Sequence, residues 1–498
     1  MNYLVHIPSG LPSPELEILL AKSQEIIDKK NILYIVVCSG LNNYSCSLNP
    51  YSLRLVCFGC KNRLKNGLKK LSGSFNLIET PKISKETTKY LNLKKNSLNF
   101  YRKSNIKSFV YKKTDLGLAI YSSYLALIRD MDLKGYFVKY CLKRLLLTGI
   151  TLTDFYFELL KNKKIDEIFL FNARQSQSRP LLRVANIYKI KVNVLEHTTV
   201  FANSRGVRNF ENNLPQSISF FSTNVKSISN SLVIKNKKQV SNYFRYKKIG
   251  LPINSPVNKS FVKNQNKYEL PKNWDSKKKN IVFFTSSEDE YTCIGGKYDN
   301  LRFKSQTDVI LRICKLFNNY PDSSFQLWIR THPNLQEVKW EHNKILNNVT
   351  NKYKNINFIS ADSKISTYQL MENAEKVIVF YSTIAVEAAY ANKPCILLGR
   401  TFYENLGFCY IPKSFQDLKK LIFSNNLKTK KNINLYKWVV FWIKSGVGQK
   451  HFSGNHRKGY KFRGNTIKSN YLVCILNLIG KFLIYKLYNN INFYLRNR

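Results

Sequence analysis

Two short apolar runs, Phe325-Gln-Leu-Trp-Ile329 and Lys376-Val-Ile-Val-Phe380, each stop abruptly at a polar loop with a helical segment beyond it. Apolar residues on consecutive positions, in runs this short, describe strands covered on both faces, as in a parallel sheet. Such strands demand helices on each side and connections that cross back over the sheet, which restricts the chain to α/β architecture. Loops at the carboxyl ends of these strands are where doubly wound domains hold nucleotides, so the residues just past each run are the first to weigh for chemistry.

Arg330-Thr-His-Pro333 follows the first run, and Tyr381-Ser-Thr-Ile-Ala-Val-Glu-Ala-Ala-Tyr-Ala-Asn-Lys-Pro394 follows the second. Pro333 fixes a turn at the strand end, so the His332 imidazole projects there rather than into a core. Arg330, two positions earlier, falls on the same side of an extended strand. A guanidinium and an imidazole so placed suit an anionic ligand. Ser382 and Thr383 stand where an alanine-rich helix begins. Unpaired N–H groups, the helix dipole and two hydroxyls attract phosphate at such a point, although the same residues also serve as ordinary N-caps. Glu387 lies one turn from Thr383, on the same helix face. Together these residues suggest a sugar-nucleotide pocket.

The order strand–Arg-x-His-Pro, strand–Ser-Thr–helix–Lys-Pro, then strand Cys395–Leu398 with Gly399, resembles the carboxyl domain of bacterial capsule-synthesis glycosyltransferases. More distantly it is similar to bacterial polysialyltransferases and to CDP-glycerol glycerophosphotransferases. The likeness is best over about Asn280–Pro412, with a weaker echo at Ile168–His197. It implies a GT-B fold, with two Rossmann-like doubly wound domains facing a cleft. It further implies that Arg330, His332, Ser382 and Thr383 hold the donor nucleotide and that Glu387 accepts from its ribose hydroxyls. Asn172, Arg174 and Arg179, in an Asn-x-Arg loop, would contact an anionic acceptor or donor. No metal or cofactor is expected beyond the nucleotide-sugar co-substrate.

The expected organisation follows composition and periodicity. Residues 1–250 form an amino, acceptor-side domain, with an irregular Lys/Asn-rich insertion at about 61–113. Residues 251–279 form a linker, 280–425 the nucleotide-binding domain, and 426–498 a basic aromatic tail. In the amino domain, Pro14–Lys29 reads as helix, Ile32–Val37 as strand, and Asp115 to about Leu160 as helical. Glu167–Phe171 and Lys191–Leu195 read as strands flanking a helix that starts at Pro180. In the second domain, Gln306–Asn318, Ser366–Asn373 and Phe415–Phe423 read as helices.

Ser286, Ser287 and Glu288 follow the strand Ile281–Phe284 and are expected to meet the donor, or else to be solvated loop residues. Glycosyl transfer with inversion needs a base for the acceptor hydroxyl. In GT-B enzymes that base usually comes from the amino domain, so Glu196 and His197, at a strand end, are the candidates; Asp154 and Glu158 are less well placed.

The formal charge of +49 has three possible origins: an anionic membrane or glycan partner, AT-rich coding, or nucleic acid. No nucleic-acid module signature is present, so the first is preferred. After Asp417 the chain carries no acidic residue, while Trp438, Phe441 and Trp442 and the run Tyr471–Leu495 mix aromatic and apolar residues with lysine. That composition fits a segment lying in a membrane interface, or helices packed back on the protein with solvated lysines. No signal peptide or run of ~20 apolar residues is visible, so a cytoplasmic, peripheral protein with reduced cysteines is expected. Cys57-Phe-Gly-Cys60, near Cys38 and Cys46, lacks a second tight pair and is read as buried thiols before zinc.

The combined expectation is a glycosyltransferase moving sugar from a nucleotide donor to a capsular polysaccharide acceptor at the cytoplasmic membrane face. CDP-polyol phosphotransfer, nucleotide-sugar epimerisation and non-catalytic binding of glycan or nucleic acid are the alternatives.

Overall fold

The computed structural model describes residues 1–11, 14–40, 45–96, 103–135, 137–198, 206–250, 265–266, 268–299, 302–320, 324–336, 338–353, 356–455 and 459–496. The chain forms two compact units, each α/β. The first comprises residues 1–199, 203–215 and 446–498, and the second comprises 200–202 and 216–445.

The first unit is built on β1 (Asn2–Ile7), β2 (Ile32–Val37), β3 (Asn76–Glu79), β4 (Glu167–Phe171), β5 (Lys191–Thr198), β6 (Gly206–Glu211) and β12 (Val447–Gly448). Their order is β12-β6-β5-β4-β1-β2-β3, with β3 through β5 parallel and β6 antiparallel to β5. The helix Glu15–Asp28 covers one face, burying Leu16, Leu19, Leu20 and Ile26 against Val5, Ile7 and Ile35. A hairpin of β13 (Phe452–Asn455) and β14 (Gly459–Phe462) inserts Phe452, Tyr460 and Phe462 into the same core.

The second unit carries β7 (Lys279–Phe284), β8 (Phe325–Arg330), β9 (Asn357–Ile359), β10 (Lys376–Val379) and β11 (Cys395–Leu397). These form a wholly parallel sheet ordered β11-β10-β7-β8-β9. Both units therefore share one logic. The chain works outward from a central strand to one edge, then returns to the other side of that strand. The sequence-based expectation of two Rossmann-like doubly wound units in one chain, the composition of the GT-B class, holds.

Several expectations change. Residues 61–113 are not irregular: they contain the end of the helix Arg54–Leu68, β3, and the helices Lys85–Asn96 and Lys103–Lys107. β3 is an exposed edge strand, so it lacks the apolar alternation that would betray it. Residues 216–250, grouped by sequence with the amino domain, fall in the second unit as the helices Ile218–Lys226, Asn230–Lys235 and Lys237–Lys248. Most of the expected linker, 251–264, lies outside the described residues, and Gln265 and Asn266 bond to Thr367 and Lys364 of the second unit.

The aromatic stretch of the tail is core rather than membrane-facing. In the helix Ile433–Lys444, Trp438 stacks on Phe402 at 5.2 Å, and Phe441 lies edge-on to Phe221 at 5.4 Å. Cys38, Cys46, Cys57 and Cys60 line one small cavity of about 40 Å³. All four are partly buried, and desolvation pushes the Cys38 thiol up to about 12, which keeps it protonated and unreactive at neutral pH. Among the described residues, no cluster of His, Cys, Asp or Glu is arranged to hold a metal ion.

Candidate functional site

In the second unit the strand order reverses between β7 and β10, and the loops leaving β7, β8 and β10 meet there at the carboxyl edge of the sheet. Hydrogen bonds fasten them together. Thr285, just past β7, donates its N–H to the Arg330 carbonyl at 3.0 Å and accepts the His332 N–H on its hydroxyl at 2.8 Å. The Ser286 hydroxyl accepts the Tyr381 N–H at 2.9 Å, joining the β7 loop to the β10 loop. Gln306 brackets Ser286 with bonds of 2.7 and 3.0 Å to its N–H and carbonyl. Tyr381 then stacks on Tyr291 with ring centroids 4.6 Å apart.

On this frame His332 is partly exposed, and its Nδ1 accepts the Asn334 N–H at 3.1 Å. That bond places the proton of the neutral ring on Nε2, leaving the imidazole a donor at its outer nitrogen. Asn334 also reaches Glu290 Oε1 at 3.1 Å and Ser287 Oγ at 3.4 Å, while Ser287 donates to Asp289 at 2.9 Å. Ser382 and Thr383, both partly exposed, lead into the helix Ile384–Tyr390. Thr383 makes no side-chain cap, and the Ser382 carbonyl accepts from Tyr403 at 2.6 Å. Of the expected donor residues, His332, Ser382 and Thr383 thus lie partly exposed on loops at one sheet edge. Ser286, Ser287 and Glu288 are buried, Ser286 as a loop tie and Ser287 bonded to Asp289.

Two expected donor ligands have other work. Arg330 is 2 % exposed and donates to the carbonyls of Ser360 and Ser363, clamping the loop after β9. A side chain at the end of a strand covered on both faces enters a protein layer, which two-residue alternation alone does not reveal. Glu387 is 5 % exposed and paired with Lys247 from the helix Lys237–Lys248. Burial opposes the Lys247 charge, yet the adjacent carboxylate holds its ammonium well above the ordinary range.

Sequence reasoning missed a cluster on the loop after β11. Arg400 grips Glu404 with two bonds of 2.9 and 2.6 Å, and Arg302 adds an ion pair to the same carboxylate at 3.5 Å. Gly399-Arg400-Thr401 follows a buried strand just as Arg330 and Ser382 do, so the same rule would have found it.

The first unit presents its own constellation where its strand order reverses, between β1 and β4. Asn172 and Ala173, directly after β4, both adopt positive φ, of 58° and 60°. This left-handed pair turns the chain so that Asn172 Nδ2 donates to Glu196 Oε2 at 2.9 Å while its carbonyl oxygen accepts from Arg174 at 3.1 Å. Arg208 lies opposite Glu196 in the β5–β6 pairing. Burial raises the Glu196 carboxyl against the pull of Arg174, Asn172 and Arg208. Glu15, at the start of the helix after β1, retains some solvent contact. Its carboxyl is nonetheless pushed up to about 8, by burial first and by the Glu196 charge second. Glu15 was not foreseen, because nothing local marks it as the neighbour of a residue on another strand.

His197 and Arg179 depart from expectation. His197 alternates with Glu196 and so faces the other side of the sheet, where its ring meets Phe452 at 5.7 Å and Tyr460 at 5.2 Å. Burial there lowers the imidazole to about 4, a packing role rather than a catalytic one. Arg179 is 1 % exposed and held bidentately by Asp115, which Arg183 also grips.

Three solved structures are similar to this chain at low identity. A β-Kdo 2,7 transferase, KpsC of Thermosulfurimonas dismutans, is 16% identical over 57% of this chain and 78% of its own, with a TM-score of 0.33. The β-Kdo 2,4 transferase KpsC of the same organism is 10% identical over 55% and 79%, with a TM-score of 0.34. UDP-GlcNAc 2-epimerase of Methanocaldococcus jannaschii, in complex with UDP-GlcNAc and UDP, is 14% identical over 90% and 100%, with a TM-score of 0.29. No curated protein sequence matches the chain. Residues 236–436, nearly all of the second unit, match the family model described as capsule polysaccharide biosynthesis protein, so the resemblance carried by the Arg-x-His-Pro and Ser-Thr motifs holds over that stretch.

Proposed function

We propose that the protein is a glycosyltransferase that moves a sugar from a nucleotide donor to a capsular polysaccharide acceptor at the cytoplasmic membrane face. One observation carries the reading. The Thr285–Ser287, His332 and Ser382–Thr383 loops are tied together at the carboxyl edge of a parallel sheet, within the segment that matches capsule polysaccharide biosynthesis proteins. In this reading the outer imidazole nitrogen of His332 donates to a phosphate oxygen of the donor. It thereby stabilises the negative charge that grows on the nucleotide as its bond to the sugar breaks. The hydroxyls of Ser382 and Thr383 fix the phosphates by hydrogen bonds. No metal takes part.

On the first unit, Glu196 is the base for the acceptor hydroxyl. Asn172 orients its carboxylate, and Glu15 holds a proton beside it near neutral pH. Arg174, linked to Asn172, supplies positive charge for an anionic acceptor.

The test is thermal shift of the full chain against CMP, CDP, UDP and GDP, each with and without EDTA. One nucleotide should raise the melting temperature, EDTA should not matter, and His332→Ala should abolish the shift. A protein that none of the four stabilises, or a shift untouched by His332→Ala, overturns the reading.

A further inference from the structure

We infer that the segment Tyr471–Arg496 is the surface by which this protein lies on an anionic lipid bilayer. The segment is helical throughout, with a π-helical turn at Leu483–Tyr488 between two α-helical stretches. One face is already used. Val473, Gly480 and Ile484 are buried, Gly480 against Val56 of the helix Arg54–Leu68, and Tyr488 stacks on Tyr51 with centroids 4.6 Å apart. A second face is also apolar and, among the described residues, largely exposed: Leu472, Leu478 and Phe482 are 68%, 64% and 60% exposed, with Ile475 and Ile479 between them. Leu487, Ile491 and Leu495 continue it.

A helix apolar on both sides is stable only when both sides are covered. Packing on the Arg54–Leu68 helix covers one, and the described residues of the chain leave the other open. Charge identifies what covers it. The chain carries +49, and no Asp or Glu follows Asp417. Arg463 and Lys468, just before the segment, are exposed, as are Arg54 and Lys65 on the helix beneath it and Lys69 at its end. A second copy of so cationic a chain would be repelled, whereas a bilayer rich in acidic headgroups attracts it. Among the described residues no helix is long and apolar enough to cross a membrane, so the fit is to a helix lying in the interface plane. Leu478 and Phe482 would enter the acyl boundary there, with lysine and arginine at the headgroups. This surface is independent of the nucleotide reading and stands or falls apart from it.

The test is co-sedimentation of the full chain with phosphatidylcholine vesicles, with and without phosphatidylserine. The chain should bind the phosphatidylserine vesicles, and binding should weaken as salt is raised. Leu478→Glu and Phe482→Glu, both at exposed positions, should each weaken binding about tenfold or more. Their melting temperature and nucleotide-dependent thermal shift should stay at the wild-type values. Three outcomes overturn the inference: equal binding to both vesicles, undiminished binding of both variants, or a salt-stable dimer that the same substitutions dissociate.

Discussion

Asp115→Asn isolates what Arg179 does. The Asp115 carboxylate accepts from Arg179 at 3.0 and 2.5 Å and from Arg183 at 2.9 and 2.8 Å. Arg179 is almost wholly buried, while the side chains of Asp115 and Arg183 are 28% and 29% exposed. Removing one partner of a buried pair costs about 3–5 kcal/mol, because it strands a buried charge. Solvent beside Asp115 moves the expected loss to the lower end, about 3 kcal/mol. The assay can be confined to the correct unit, because all five tryptophans, Trp274, Trp328, Trp340, Trp438 and Trp442, belong to the second. In urea at pH 7, Asp115→Asn should move the far-UV circular dichroism transition to lower denaturant and leave the tryptophan fluorescence transition in place. Burial alone would raise the Asp115 carboxyl, but Arg183 and Arg179 outweigh it and hold the group well below the carboxylate range. A depressed folded pKa contributes stability that is present above the unfolded value, about 3.9, and lost as pH falls below it. The gap between wild type and variant should therefore be constant from neutral pH to about 5 and narrow below about 4. A loss under about 1 kcal/mol would show that Arg179 is not held for structure.

Two further outcomes concern the carboxylates of the first unit. The Glu15 carboxyl is raised to about 8, so its contribution to stability is present below the unfolded carboxylate value and is lost as pH rises toward 8. Glu15→Gln should therefore unfold less readily than wild type above pH 8, by about 2 kcal/mol once solvent contact is allowed for. Identical pH dependence in the two proteins would refute the assignment. Glu196→Gln should lower sugar transfer by about a hundredfold or more while leaving the nucleotide thermal shift intact. Full turnover in that variant removes Glu196 from the mechanism.

How much was legible in the sequence depended on how locally each element is determined. Ile32–Val37 and Glu167–Phe171 are continuous apolar runs, and Gln306–Asn318 and Phe415–Phe423 have clean helical periods, so each lies at its expected bounds. Asn2–Ile7 is short and carries a histidine, and it was not read as a strand, although it is an interior strand of its sheet, between β4 and β2. The arginines show a different limit. Charge is visible in a sequence, but Asp115, the partner that claims Arg179, is 64 residues away, and Ser360 is 30 residues from Arg330. Glu196 and His197 are separable from sequence alone, since neighbours on a strand cannot both face one ligand.

The discontinuity of the first unit bears on how the chain is assembled during synthesis. Residues 216–445, which supply nearly all of the second unit, are continuous in sequence and can pack on one another as soon as they emerge. The first unit, though translated earlier, must wait for Phe452, Tyr460, Phe462 and Ile467 to complete its core and for β12 to pair with β6. Its sheet spends the intervening period with β6 as an open edge and Leu195 and Val207 short of the contacts they finally make, so a nascent-chain binding factor has its longest access there. Vectorial order is thus inverted: the segment synthesised first is the one whose core is completed last.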